Sequence, residues 1–172
     1  MQVSELFVRE HALFRNVLDK LERCVRCEGE GARSGLGEAL RLLLPALDGH
    51  AEVEGLVFRH APDTVGSLPE PLPEVAAQHR ALAALRNDIL SALEQSTEEC
   101  PFDRLRNMAA SLAADLRQHL DTEEQRLWPL YQLALHMPTS SFLPAHLEHS
   151  VLALDAELAR SLAGSPLPVP SG

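Results

Sequence analysis

The chain has 172 residues and a net charge of -10 at pH 7 with histidine counted as neutral. This charge argues against a nucleic-acid partner, since phosphate binding needs a basic face, and against docking to an anionic membrane surface. Apolar residues, mainly leucine and alanine, make up 45% of the chain and aromatic residues 4%, so the composition favours helices in one domain with a single core.

The ends of the chain and its cysteines indicate the compartment. The first residues, MQVSELFVREHALF, include Glu5 and Glu10 and lack the uninterrupted apolar segment of a secretory signal. No apolar run approaches the roughly 18 residues that cross a bilayer. Three cysteines are an odd number and do not make a disulfide framework. The sequence therefore predicts a cytoplasmic protein with no membrane partner.

Helical periodicity begins with a first helix from about residue 6 to residue 25, whose apolar stripe also carries His11. The glycine-rich stretch GEGARSGLG, residues 29–37, is expected to break the pattern. A second helix is predicted from about residue 36 to residue 58, with Pro45 inside it as a bend. Its stripe carries His50 and Glu54 among leucines and valines.

The second half of the chain repeats this alternation of helices and breaks. The proline-rich stretch HAPDTVGSLPEPLP, residues 60–73, predicts a connection before a third helix that ends near Gln95 and carries His79. After a break at residues 97–101, a fourth helix is predicted from about residue 102 to residue 135, with His119, Glu123, Leu127 and Leu130 facing inward. A last amphipathic segment is HLEHSVLALDAELARSLA.

Four helices of similar length predict an all-α fold, an up-down-up-down four-helix bundle with a short additional C-terminal helix. We expect the bundle at residues 1–135, the extension helix at residues 136–163, packed on or beside the bundle, and a disordered tail at residues 164–172. The extension helix is also a candidate for self-association, which would give a homodimer, although the sequence does not fix the oligomeric state.

Helices two and four share the motif His-x-x-x-Glu, as His50 with Glu54 and as His119 with Glu123. A separation of four residues puts both side chains on one helical face, roughly 6 Å apart. A single pair of this kind is usually a surface ion pair, and a lone histidine on an apolar stripe is usually a hydrogen-bonded core residue. Here, however, all four helices direct such groups inward at matching depth.

Unpartnered burial of these groups would cost several kcal/mol, which a cation offsets most directly. The predicted metal ligands are His11, His50, Glu54, His79, His119 and Glu123. Imidazole with carboxylate suits iron, manganese or zinc better than calcium or magnesium. Six ligands are more than a closed tetrahedral zinc site takes, so two metal ions are favoured. The two glutamates and an oxide or hydroxide would bridge the ions. Each ion would then keep one open position.

The segments REHALFR, HAEVEGLVF, QHRAL and HLDTEEQRLWPL resemble the hemerythrin-like, or HHE cation-binding, domains over about residues 4 to 133. The resemblance implies a helical bundle with a non-haem di-iron centre bridged by two carboxylates, with the same six residues as ligands. It also implies that Glu52 and Glu124 are outer or surface groups. Oxygen-carrying hemerythrins have a second histidine one turn beyond the third-helix histidine, where this chain has Ala83.

That departure speaks against simple reversible oxygen carriage. The set of four histidines and two glutamates resembles the family branches that are linked to iron sensing and to repair of iron centres. The leading hypothesis is a di-iron protein that reacts with or senses dioxygen, hydrogen peroxide or nitric oxide. One alternative is an iron-handling or repair protein that loads and releases iron. The other is a structural or interaction bundle without metal.

The CxxC motif of Cys24 and Cys27 is interpreted as two incidental thiols, in preference to a disulfide or a transient metal site.

Overall fold

The computed structural model describes residues 1–27, 30–65, 73–95 and 101–164, and these ranges are almost wholly helical. The helices are α1 (Val3–Arg26), α2 (Glu30–Val65), α3 (Pro73–Glu94), α4 (Phe102–Thr122), α5 (Gln132–Leu135) and α6 (Ala145–Gly164). The described ranges contain no β-strand, only an isolated bridge between Gln2 and Pro138. The all-α prediction is therefore confirmed. None of the described helices combines the length and the apolar character that crossing a membrane requires.

The first four helices pack as a bundle. α1 packs against α2 and α4, and α3 packs mainly against α4, with a sparser contact to α2. This is the neighbour pattern of an up-down-up-down bundle. α6 packs along α2 and also touches α1. The predicted tail lies outside the described residues apart from Gly164, the last residue of α6.

The core consists of two apolar clusters with a polar layer between them. One cluster includes Phe14, Leu40 and Leu116, and the other includes Phe7 and Leu127. Along every bundle helix the change from one cluster to the other falls where the predicted ligands lie. Because burying each large apolar side chain contributes roughly 1.5–3 kcal/mol, the two clusters together can hold a polar layer in place.

The predicted glycine-rich break is wrong from Glu30 onward, because α2 already begins there. Leu36 is fully buried and Ala32 nearly so, and their burial offsets the roughly 1 kcal/mol that a glycine costs inside a helix. Gly35 faces α1, where an added Cβ would make an ordinary contact of 3.5 Å with the Cys24 sulphur.

The boundary expected near residue 58 is also too early. α2 continues to Val65 and contains Pro62 as well as Pro45. Ala61 is fully buried and Phe58 nearly so, which keeps this last part of the helix on the core. The remainder of the predicted connection, residues 66–72, lies outside the described residues, as does the break at residues 96–100.

The fourth helix is not continuous to residue 135. α4 ends at Thr122 and is followed by a π-helical turn, Glu123–Leu127, and a 3-10 turn, Trp128–Leu130. Pro129 has no backbone N–H, and its ring would clash with the carbonyl four residues earlier, which disfavours α-helical continuation. The extra residue in the wider turn changes the helical phase. The prediction that Leu130 faces inward is therefore wrong: Leu130 is 38% exposed, whereas Tyr131 is fully buried.

Candidate metal centre

The six predicted ligands come together in the polar layer between the two apolar clusters. α1 contributes His11, α2 contributes His50 and Glu54, α3 contributes His79, α4 contributes His119, and the π-helical turn contributes Glu123. Five of these side chains are at most 3% exposed, and that of His79 is 33% exposed. The site is therefore enclosed except on the side of α3.

Glu123 occupies the middle of the cluster. Its Oε2 lies 3.1 Å from Nε2 of His11 and 3.7 Å from Nε2 of His50. Its Oε1 lies 2.6 Å from Nε2 of His119 and 3.7 Å from Nε2 of His79. One carboxylate thus faces imidazole nitrogens from α1, α2, α3 and α4.

Glu54 lies on the α3 side of the same cluster. Its Oε2 is 2.9 Å from Nε2 of His79, and that nitrogen is 3.1 Å from Nε2 of His119. One donor atom from each of His50, Glu54, His119 and Glu123 lies within 4.8 Å of the other three. The two carboxylates therefore lie in one cluster, with His79 next to both of them.

The donor atoms also have the unmet hydrogen-bonding capacity that a metal would use. Within the described part of the chain, Nε2 of His11, Nε2 of His50 and both carboxylate oxygens of Glu54 and Glu123 are buried without a partner in hydrogen-bonding geometry. Buried polar atoms without partners are costly, and buried charges are normally paired or metal-bound. Nitrogen and oxygen donors in this mixture suit iron, manganese or zinc. The residues therefore fit a metal centre.

Three of the four histidines are held by a hydrogen bond at the other ring nitrogen. Nδ1 of His11 bonds to Oε1 of Glu124 at 2.9 Å, and Nδ1 of His50 bonds to Oε2 of Glu10 at 3.0 Å. Nδ1 of His119 lies 3.3 Å from Oε1 of Gln78. Such bonds fix the ring orientation and leave Nε2 deprotonated for a metal. Metal-binding histidines almost always have this second contact.

Glu124 has the outer position that the resemblance implied for it. Its side chain is 34% exposed, and Oε2 lies 3.1 Å from Nη2 of Arg15, which also bonds to Asp121 at 2.8 Å. Glu52, in contrast, is exposed on α2. Of the two adjacent glutamates in the fourth-helix motif, Glu123 thus lies inside the cluster and Glu124 lies outside it.

Sequence reasoning missed Glu10 and Gln78. Glu10 is fully buried on α1, next to His11. A second helical spacing, Val3, Leu6, Glu10 and Val17, could have revealed it, because the three apolar members of this series are all buried. Gln78 precedes His79 and carried no comparable signal.

The charged groups of the cluster shift one another's pKa values. Burial alone would raise the pKa of Glu123, but its contacts with His11, His119 and the other histidines hold that pKa well below the ordinary value. Burial lowers the pKa of His79, and the Glu123 and Glu54 carboxylates outweigh it and raise the pKa to about 9. The pKa of Glu54 is raised by burial and by repulsion from Glu123. Without a metal, the two carboxylates favour the protonated form of His79.

A cavity of about 70 Å³ opens beside the cluster, at the sparse contact between α2 and α3. Three of the predicted ligands, His50, His79 and His119, form one wall. Ala83 is exposed and lines the same cavity, one helical turn after His79. The position where oxygen-carrying hemerythrins have another histidine is therefore open space in this chain.

The aromatic residue of the fourth-helix motif covers the α1 side of the centre. The ring of Trp128 lies 4.7 Å from that of His11 and stacks on Phe7 at 6.1 Å. Trp128 thus separates the donor atoms from solvent on this side, as expected from its bulk.

The CxxC cysteines are not part of this centre. Cys24 and Cys27 are free, buried thiols at the end of α1, and burial raises the pKa of Cys24. Cys24 follows His11 by thirteen residues, about 20 Å along the helix. Their predicted role as incidental thiols stays a prediction.

A helical bundle with a buried layer of four histidines and two glutamates belongs to the class of metal-binding four-helix bundles. The chain matches the model of the hemerythrin HHE cation binding domain over residues 2–131, and again over residues 70–165. It belongs to this family. No curated protein and no solved structure matches the chain significantly.

Proposed function

We propose that the protein holds two iron ions in the cluster of His11, His50, Glu54, His79, His119 and Glu123. We further propose that it binds dioxygen, hydrogen peroxide or nitric oxide there, as a sensor or stress protein. The observation that carries this proposal is the position of the Glu123 carboxylate, within 3.7 Å of imidazole nitrogens from four helices. Two carboxylates and four imidazoles are more donors than one closed tetrahedral ion takes.

The residues of the chain have distinct roles in this proposal. Glu54 and Glu123 would hold the ions through their carboxylates, and the four histidines would complete the protein ligands through Nε2. Glu10, Glu124 and Gln78 keep three imidazoles in the correct tautomer and orientation. Iron in such a shell supplies redox chemistry and a binding position for a small molecule.

The cavity favours a ligand of two or three heavy atoms. Its volume of about 70 Å³ is too small for a drug-sized substrate, and leucines from three helices line it together with the histidines. Leu47, Leu82 and Leu116 give the cavity a largely apolar lining. This combination suits small, weakly hydrated molecules.

Metal analysis of iron-reconstituted protein tests the proposal. We expect about two iron ions per chain in the wild type and a loss of at least one in His119→Ala and Glu123→Gln. His149→Ala is the matched control because His149 is exposed on α6. Fewer than one ion per chain, with no difference between His119→Ala and His149→Ala, would overturn the proposal.

Iron handling is the second candidate function, and the exposure of His79 favours it. His79 is 33% exposed, and α3, which carries it, has only Val75, Ile89 and Ala92 buried among its described side chains. A ligand on a weakly buried helix can dissociate without unfolding the core. Rapid loss of iron to a chelator in the absence of oxidant would support handling, whereas a tightly held centre that consumes peroxide would contradict it.

The alternative of a metal-free structural bundle is disfavoured by the unpartnered donor atoms in the polar layer. A ligand that binds only the folded state must raise the thermal stability. We therefore expect a higher Tm for the iron-loaded than for the iron-free protein. Equal Tm values at saturating iron would favour the structural alternative.

A further inference from the structure

The end of α1 carries two free thiols, Cys24 and Cys27, that the metal centre does not use. Cys27 follows the last residue of the helix, and its backbone N–H donates to the carbonyl of Cys24 at 3.2 Å. Three residues of helical turn put the two Cα atoms roughly 5 Å apart, and a disulfide needs about 4.4–6.8 Å. The backbone therefore already has the spacing that a Cys24–Cys27 disulfide needs.

The two cysteines differ in their exposure. Cys24 is fully buried, whereas Cys27 is 9% exposed at the end of the helix. A small oxidant from solvent thus meets Cys27 first. Cys24 does not need to meet the oxidant, because it only has to reach the neighbouring sulphur. An accessible thiol next to a resolving thiol is the usual arrangement of redox-sensing cysteines.

Lys20 places a positive charge beside this pair. It is the only lysine in the sequence, and it lies one helical turn before Cys24. The residue is only 5% exposed, and its Nζ is buried without a hydrogen-bond acceptor in the described part of the chain. Lysine is almost never buried unless it is paired, since an uncompensated buried ammonium is costly. An anion that forms next to Lys20 is therefore stabilised.

The charges around Cys24 show which anion this is. Burial raises the pKa of the Cys24 thiol, and Lys20 is the strongest influence in the opposite direction, supported by Arg23. Cys27 and Glu38 act in the same direction as burial. Cys24 is therefore a thiol at rest, and the Lys20 ammonium favours the thiolate when the proton leaves. Buried thiols without such a charge are generally inert.

We propose that Cys24, Cys27 and Lys20 form a redox site, in which hydrogen peroxide converts the two thiols into a reversible disulfide. The spacing of the cysteines alone favours incidental thiols, and the buried amine is the observation that the spacing lacks. The site lies about 20 Å along α1 from His11 and does not depend on the metal centre.

The reaction has two steps. The Cys27 thiolate attacks one oxygen of the peroxide, so that an S–O bond forms, the O–O bond breaks, and the released hydroxide takes up a proton to give water. The Cys24 sulphur then attacks the sulphur of the Cys27 sulfenic acid. The S–S bond forms, the S–O bond breaks, and the leaving oxygen takes the Cys24 proton to give a second water. The two thiols lose two electrons, and the peroxide gains them.

The first test counts thiols and locates the bond after one equivalent of hydrogen peroxide. The chain has three cysteines, so we expect the free thiols to fall from three to one and to return with dithiothreitol. Trypsin should release residues 24–26 and 27–33 as one disulfide-linked pair of peptides, because Arg26 lies between the cysteines. In Cys24→Ser, dimedone should trap a sulfenic acid on Cys27. Three remaining thiols, or a bond to Cys100 instead, would overturn the inference.

A second test measures the role of Lys20 from the rate of disulfide formation. Lys20→Met should slow it about tenfold, because the charge beside Cys24 is lost, whereas Lys20→Arg should keep it within about threefold. Arg106→Met is the control, since it removes a positive charge on α4 and should leave the rate unchanged. Equal rates in Lys20→Met and Arg106→Met would show that Lys20 has no part in the reaction.

This inference and the proposed metal-binding function fail separately. The disulfide should also form in Glu123→Gln, which is expected to lose iron. A disulfide that forms in the metal-loaded protein but not in Glu123→Gln would assign the peroxide chemistry to the metal centre and overturn the thiol site. Protein that binds no metal but forms the Cys24–Cys27 bond would overturn only the metal-binding function.

Discussion

Glu10 of α1 bonds through Oε2 to Nδ1 of His50 of α2 at 3.0 Å, and the Glu10 side chain is fully buried. Burial lowers the pKa of His50, but the Glu10 and Glu123 carboxylates outweigh it and hold that pKa well above the ordinary value. The pair thus has the geometry of a carboxylate that orients a metal-binding histidine. It joins two helices at the centre of the molecule.

Glu10→Gln should weaken iron binding by about ten- to a hundredfold, because a neutral amide makes the His50 imidazole less basic and fixes its tautomer less well. The measurement is a competition titration against a chelator of known affinity. Glu52→Gln is the control, since Glu52 is exposed on α2, two residues after His50. Equal affinities for the two variants would show that Glu10 is only a packing residue.

Asp155 predicts a pH dependence of stability. This carboxyl on α6 is 1% exposed, and burial, with repulsion from Glu10, raises its pKa to about 6 from an ordinary value of 3.8. Because the folded state holds this proton more tightly than the unfolded state, the free energy of unfolding falls as the pH rises from about 4 to 6. Above this window the full cost of the ionised group is present.

Asp155→Asn should remove this slope in metal-free protein and raise the stability at pH 8 by about 2 kcal/mol. The partner Arg9 is 47% exposed and 3.5 Å away, so losing that contact costs little. Urea titrations of wild type and variant at several pH values measure the difference. Parallel pH profiles for the two proteins would show that Asp155 does not titrate in this window.

Leu116→Ala should enlarge the small-molecule cavity. Leu116 is fully buried and lines that cavity, whereas the equally buried Leu40 does not. Both leucine-to-alanine changes should destabilise the protein by about 2–5 kcal/mol. Only Leu116→Ala should also accelerate nitric oxide binding in stopped-flow measurements. Unchanged rates in both variants would mean that the ligand enters by another route.

Ala83→His should add a donor at the open side of the centre. Ala83 lies one turn after His79, and its side chain lines the cavity. An additional imidazole there should slow iron release to a chelator and weaken azide binding, because it occupies the open position. Ala84→His is the control, since Ala84 is exposed and does not line the cavity. Faster iron release from Ala83→His would contradict this placement of the open position.

The helical spacing of the sequence was sufficient to predict the all-α bundle and to identify the six residues that cluster in it. His119 and Glu123 share a face because they are four residues apart, and the same spacing joins His50 to Glu54. Helix phase also distinguished Glu123 from Glu124. A shift of one residue turns the side chain away from the core, so Glu123 is buried and Glu124 is half-buried. These features depend only on local periodicity. The assignment of the cluster as metal ligands stays a prediction.

Other features depend on contacts between helices, which periodicity does not contain. The bond from His50 to Glu10 depends on the rotation of α1 relative to α2. The π-helical turn depends on Pro129 together with the burial of Tyr131, so the fourth helix was predicted as continuous. The early start of α2 depends on Leu36 packing into the core strongly enough to offset the glycines.

The central claim is that two bridging glutamates hold a pair of iron ions in this bundle. The most direct test is a Mössbauer spectrum of protein reconstituted with ⁵⁷Fe, together with the iron content of the same sample. The account predicts about two iron ions per chain and a coupled pair with a diamagnetic ground state in the oxidised protein, lost in Glu123→Gln. A magnetically split spectrum of isolated ferric ions, or fewer than one iron ion per chain, would contradict it.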